Sequence, residues 1–141
     1  MPLKPTHVLE TVLYARDMTA ARAFYRDALG LELLRDWGET GLVFRVSAES
    51  VLLVFDPTVT SRPGRPVPAH GADGPGHVAF RIDAGARAEW IAHLAALGVA
   101  VEQEQAWTED ESWRPGRSVY LRDPAGNSVE LITADIWPES P

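Results

Sequence analysis

The chain uses one design twice, and that repeat constrains its fold more than any other feature. The first copy runs Leu9-Glu10-Thr11-Val12-Leu13 into a helix-like segment closed by Leu29-Gly30-Leu31. The second runs Gly76-His77-Val78-Ala79-Phe80 into another closed by Leu97-Gly98-Val99. Each copy reads as a strand, a helix and three more strands. A single copy would leave one sheet face uncovered. Two side by side are expected to curl into an open cup with helices outside, an α+β architecture. Polar residues break the apolar pattern at matching places: Glu10 in the first copy and His77 in the second, with Glu130 interrupting Val129-Glu130-Leu131-Ile132 near the end.

Alternation over residues 7–14 suits a strand with Val8, Glu10, Val12 and Tyr14 on one face. Asp17 is the expected N-cap of a helix over about residues 18–29. Ala20, Ala23, Phe24 and Ala28 share its inner face and Gly30 is its stop. Strands are expected at about 32–37, 42–46 and 51–55, joined as hairpins. Residues 57–76 hold Pro57, Pro63, Pro66, Pro68 and Pro75 together with Gly64, Gly71, Gly74 and Gly76. Neither a regular helix nor an interior strand tolerates that density, so the run reads as a linker or ordered loop.

The second copy begins with a strand at 77–82. Asp83 is the expected cap of a helix over about 85–97, with Trp90, Ile91, Leu94 and Leu97 buried and Gly98 as its stop. A strand at about 99–105 leads into an acidic, Trp-bearing loop at 107–116. The closing hairpin, 117–122 and 127–133, turns on Asp123-Pro124-Ala125-Gly126. There Pro presets φ and Gly accepts a positive φ. The expected layout is one domain over 1–134, with module one at about 6–56, the linker at 57–76 and module two at 77–134. Residues 135–141 read as a loosely held tail.

A chain of 141 residues is long enough for a sizeable core. No apolar run is long enough to cross a bilayer, and the start lacks the layout of a signal peptide, so the cytoplasm is the expected compartment. The absence of cysteine excludes disulfides, thiolate ligands and a Cys nucleophile. The net charge is −7, and no Lys/Arg cluster supplies a face for a phosphate backbone, so nucleic acid is not an expected partner.

Strand parity sorts the polar residues. His77, Ala79 and Arg81 share the face opposite Val78, Phe80 and Ile82, and Glu130 lies opposite Val129 and Leu131. The same parity turns His7 away from the Glu10 side. Glu10, His77 and Glu130 are therefore the inward polar groups. Two carboxylates and an imidazole in an apolar cup need a cation among them. A divalent metal (Fe, Mn, Zn, Ni or Co) answers that need, and three protein ligands leave positions open for substrate. The competing reading is a protonated-His–carboxylate cluster with Arg81.

The segments Ala23-Phe24-Tyr25-Arg26-Asp27-Ala28-Leu29-Gly30-Leu31, Gly76-His77-Val78-Ala79-Phe80 and Arg122-Asp123-Pro124-Ala125-Gly126-Asn127-Ser128-Val129-Glu130-Leu131 carry a resemblance over roughly residues 6–133. They resemble the vicinal oxygen chelate superfamily, which holds glyoxalases, extradiol dioxygenases, fosfomycin resistance enzymes and bleomycin resistance proteins. The resemblance implies paired βαβββ modules in an eight-stranded open cup. It implies metal ligands at Glu10, His77 and Glu130, with the fourth-strand ligand position falling on apolar Leu52 or Leu53.

It further implies an enzyme that chelates adjacent oxygens of a small-molecule substrate with lyase or isomerase chemistry of the glyoxalase type. The alternatives are an Fe(II) ring-cleaving dioxygenase and a non-catalytic small-molecule binder of the bleomycin-resistance kind. Losing the fourth ligand removes the carboxylate that serves as base in isomerising members. His70 on the Pro/Gly loop is a candidate base, and Arg81 and Tyr120 are candidates to neutralise or orient substrate, with Arg117 a weaker one. Trp107 and Trp113 are candidate walls for an apolar substrate or contacts within a homodimer.

Overall fold

The computed structural model describes residues 2–110 and 112–139. The chain divides into two compact units, residues 1–74 and 75–141, and each is treated by itself.

The first unit is built on β1 (Glu10–Tyr14), α1 (Met18–Arg22), β2 (Glu32–Asp36), β3 (Gly41–Ser47) and β4 (Ser50–Phe55). The sheet order is β1-β4-β3-β2. β1 and β4 run parallel, while β3 pairs antiparallel with both β2 and β4. The hairpins expected from the short joins are present. The first strand is shorter than expected, starting at Glu10, and His7 lies outside it, exposed, with its Nδ1 at 3.0 Å from Thr6 Oγ1.

Alternation assigns the two faces of this sheet. Leu13, Leu42, Phe44, Leu52 and Val54 are buried on one side. There Tyr25, fully buried, packs at 5.6 Å from Phe44 and 4.9 Å from Phe24. Val43, Leu53 and Phe55 cluster on the other side with Val12, Tyr14, Leu34 and Val51.

The expected helix over 18–29 starts as predicted, with the Asp17 side chain accepting from Ala20 N at 2.9 Å. It does not stay α-helical. From Ala23 to Ala28 it widens into a π-helix, in which Leu29 N donates to Phe24 O at 3.0 Å. Adding a residue to the turn rotates the buried stripe. Ala21, Phe24, Tyr25 and Ala28 are buried, and Ala23, expected inside, is exposed.

The Pro/Gly segment is mostly irregular but opens with one helical turn, α2 (Pro57–Thr60). Asp56 caps it and Pro57 takes the first position, where a missing N–H costs nothing. The expectation of no helix there missed this permitted place for proline.

The second unit repeats the plan. β5 (His77–Arg81), α3 (Arg87–Ala96), β6 (Gln103–Trp107), β7 (Gly116–Arg122) and β8 (Ser128–Ile132) form a sheet in the order β5-β8-β7-β6. Asp83 does not cap through its side chain; a 3₁₀ turn, Ala84–Ala86, leads into α3 instead. Leu94 is fully buried, Trp90 and Ile91 half-buried, and Leu97, expected inside, is exposed. The strand expected at 99–105 is displaced to β6, so Trp107 ends a strand rather than opening a loop.

The turn before β8 explains its own sequence. Asp123 Oδ1 accepts from Ala125 N and Asn127 N, both at 2.9 Å, and Asp123 Oδ2 accepts from Asn127 Nδ2 at 2.9 Å. Asn127 Oδ1 in turn accepts from Gly76 N at 2.7 Å, which ties the turn to the residue before His77. Gly126 takes φ +89°, as the turn reading requires.

The start of the tail is seated rather than loose. Ile136 is buried and its backbone O accepts from Arg114 N at 2.7 Å. It lies so close to β7 that a Cβ at Gly116 would meet it at 2.7 Å.

Candidate functional site

In module two the face named by parity is a real concavity of about 510 Å³. His77, Arg81, Tyr120 and Glu130 line it, with Trp107, Trp113 and Trp137 on its wall. Strand pairing brings these residues together. β5 and β8 run parallel with His77 beside Ser128 and Ala79 opposite Glu130, and β7 sets Tyr120 opposite Glu130. His77 Nδ1 lies 3.1 Å from Ser128 O, and its ring stacks on Tyr120 at 6.4 Å between centroids. A backbone carbonyl at Nδ1 favours the tautomer that leaves Nε2 as the free acceptor.

Glu130 is 7% exposed, the most buried of the charged candidates. The Tyr120 phenol is pushed up to about 12, first by burial and then by its hydrogen bond to Glu130 and the charge of that carboxylate. Tyr120 is thus a proton-holding donor near neutral pH and not a base.

Module one carries its own concavity, about 940 Å³, on the equivalent face. Glu10 and Val12 of β1, Val43, Val51, Leu53 and Phe55 of the central strands line it, with Trp37 stacked on Phe55 at 6.0 Å and 12°. The Pro/Gly segment folds back to form a further wall from Arg65 to His70. His70 is half-buried rather than an open loop residue. Its Nδ1 is 2.6 Å from the Tyr14 hydroxyl, its ring packs edge-on against Phe55, and its backbone N–H donates to Thr60 O at 3.0 Å.

The two registers can be matched pair by pair. β1 and β4 set Glu10 beside Val51 and Val12 opposite Leu53. Glu10 therefore holds the place of His77, and Leu53 holds the place of Glu130. By register, the fourth-strand counterpart of Glu130 is Leu53 rather than Leu52. Val43, opposite Leu53, answers to Tyr120, and Tyr14, opposite Phe55, answers to Arg81.

Of the predicted site residues, the structure gathers His77, Arg81, Tyr120 and Glu130 in module two, while Glu10 and His70 line the concavity of module one. Arg117 does not line either of these two concavities. Among the described residues no group of three or more His, Cys, Asp or Glu side chains lies close enough to hold a metal ion. The donor chemistry within module two fits two of the three expected ligands: one buried carboxylate and one imidazole with a carbonyl behind it.

Several contributors were missed by sequence reasoning. Trp137 joins Trp113 at 5.3 Å, and Trp113 joins Trp107 at 4.8 Å, whose Nε1 donates to Ser118 Oγ at 2.8 Å. The signal lay in the tail, Asp135-Ile136-Trp137, whose apolar pair is out of place in a loose end. Arg35, Trp37 and Arg65 in module one gave no pattern that pointed to a cavity.

The sequence matches the family model described as Glyoxalase/Bleomycin resistance protein/Dioxygenase superfamily over residues 5–131. Among solved structures it is similar to a lactoylglutathione lyase from Agrobacterium tumefaciens. The two are 42% identical, with a TM-score of 0.81, covering 91% of this chain and 93% of that one. It is also similar to a glyoxalase/dioxygenase from Nostoc punctiforme, with 25% identity, a TM-score of 0.66 and coverage of 99% and 98%. A fosfomycin resistance protein from Listeria monocytogenes shares the fold at 19% identity, with a TM-score of 0.64 and coverage of 96% and 94%. No curated protein matches the sequence at a significant level. Among the described residues no helix is long and apolar enough to cross a membrane.

Proposed function

The chain belongs to the glyoxalase, bleomycin resistance protein and dioxygenase superfamily, and we propose that within it the protein is a divalent-metal-dependent enzyme of the lyase or isomerase type. One observation carries this reading. The register match sets Glu10 and His77 at equivalent points of the two modules, with a buried Glu130 beside the His77 strand. The 42% identity to a lactoylglutathione lyase supports the reaction class.

The proposed ligands are Glu10, His77 and Glu130. Module two carries His77 and Glu130, and module one carries Glu10. When bound, the metal supplies Lewis acidity toward two adjacent oxygens of a small substrate.

The remaining work falls to the chain's own residues. Tyr120 keeps its proton and donates to Glu130, which holds that carboxylate in one orientation. Arg81, exposed on the same face four residues after His77, is placed to neutralise an anionic substrate. Leu53 supplies no carboxylate base, so proton removal falls to another group. His70, oriented by Tyr14, is the proposed base. Trp107, Trp113 and Trp137 keep water from that side of module two.

Metal analysis of the purified protein, beside Glu10→Ala, His77→Ala and Glu130→Ala, tests the assignment. Each substitution is expected to lower divalent occupancy sharply, and full occupancy in all three would end it. Iron in the protein with oxygen uptake on catechols would move the reading to ring cleavage.

A further inference from the structure

We propose that the concave face of module one is a binding site for a small monocarboxylic acid with an apolar body, its carboxylate held by Arg35 and Arg65. Its volume of about 940 Å³ suits a small organic molecule. The floor is hydrocarbon and aromatic: Val12, Val43, Leu53 and Phe55, with Trp37 beside them. Such a floor has no partner for a peptide-like or sugar-like body, whose polar groups would be left unpaired.

Two arginines, Arg35 and Arg65, line this cavity. Arg16, Arg22, Arg26, Arg87, Arg114 and Arg122 are all spent in ion pairs. Among the described residues Arg35 and Arg65 have no carboxylate partner. Arg35 gives Nη1 to Leu34 O at 2.7 Å, and Arg65 gives Nη1 to Thr60 O at 3.4 Å. A guanidinium has five donors in a planar fork, so most of each is uncommitted and shaped for a carboxylate. In a chain of net charge −7, two such forks on one apolar cavity form a local positive exception. Glu10 lies on the same face and opposes further negative charge, which selects one acidic group over a polyanion.

The wall is already formed. His70 is tied to Thr60 and Tyr14, which fixes the run Pro66-Val67-Pro68-Ala69 behind it. A rigid wall lowers the ordering cost of binding.

This inference rests on the proposed function only in taking the bound acid as the substrate; the binding itself is read without metal. The full chain, treated with EDTA, is titrated calorimetrically with 4-phenylbutanoate and octanoate, and separately with their neutral amides. The acids are expected to bind about tenfold or more tightly than the amides. Trp37 emission should follow the titration and vanish from the signal in Trp37→Phe. In an Arg35→Gln/Arg65→Gln variant the acid is expected to fall to the affinity of the amide.

Equal affinity of acid and amide in the unaltered protein would overturn the proposal, and so would no detectable binding of either. A preserved acid preference in the double variant would overturn it as well. Loss of metal binding in the ligand variants leaves these outcomes standing, so the two readings fail separately.

Discussion

The two sheets share one strand order, β1-β4-β3-β2 and β5-β8-β7-β6, yet their concave faces have diverged in chemistry. At four matched positions module two offers His77, Arg81, Tyr120 and Glu130, where module one offers Glu10, Tyr14, Val43 and Leu53. The backbone scaffold is indifferent to that exchange, because strand pairing uses only main-chain groups. A repeated module can therefore keep a polar, titratable face in one copy and turn the other into an apolar receptacle. The opposite faces show less freedom. Both are closed by buried apolar residues under a helix, although module one uses the aromatic trio Phe24, Tyr25 and Phe44 and module two the single aliphatic anchor Leu94.

The largest expected effect tests that last contrast. Tyr25 is fully buried and touches two rings, so Tyr25→Ala is expected to cost about 3–5 kcal/mol, against about 2–4 kcal/mol for Leu94→Ala. Denaturant unfolding of both variants gives the comparison, and equal small losses would mean the helices are not the anchors.

Leu53→Glu breaks the contrast between the concave faces directly. It places a carboxylate at the counterpart of Glu130, in a position only 6% exposed. A loss of about 3 kcal/mol is expected in metal-free protein. If the register match is right, a divalent ion should restore part of it, read as a metal-dependent rise in Tm that the parent chain shows less strongly. No difference in metal response would break the proposed equivalence.

Asn127→Ala is smaller. It removes the acceptor for Gly76 N and a donor to Asp123, both in a buried turn, for an expected loss of about 2 kcal/mol. At the corresponding turn of module one Ser47 Oγ makes two exposed contacts, with Ser50 Oγ at 2.9 Å and from Glu49 N at 3.3 Å, so Ser47→Ala should change stability little.

The parts legible in the sequence were those governed by period and turn chemistry. Alternation put His77 and Arg81 on one face, and Asp123-Pro124-Ala125-Gly126 named its own turn. What escaped depends on packing. The π widening after Ala23 leaves the composition of the helix unchanged and alters only which carbonyl each N–H finds, as with Leu29 and Phe24. Leu97 obeys the helical period but falls where nothing covers it. The wall from Arg65 to His70 reads as loop chemistry because its contact with Tyr14 spans a long stretch of chain, and no local pattern encodes a long-range contact. The three candidate ligands were legible as residues of the concave faces, because strand parity is a local property.

The subtlest expected effect concerns protons. Tyr120 has no counterpart in module one, where Val43 cannot titrate. Its folded pKa, about 12, lies above the ordinary phenol value of 10.0. Between those values the folded chain holds a proton that the unfolded chain has released. The stability this group contributes is therefore present below about pH 10 and lost as the pH rises toward 12. Phenolate absorbance against pH should show a late step absent from Tyr120→Phe. In Glu130→Gln the step should move down only part of the way, because burial, the larger cause, remains while the charge is gone. A step unmoved by Glu130→Gln would mean that the carboxylate and the phenol do not sense each other, and the polar face of module two would then lose the coupling that sets it apart from module one.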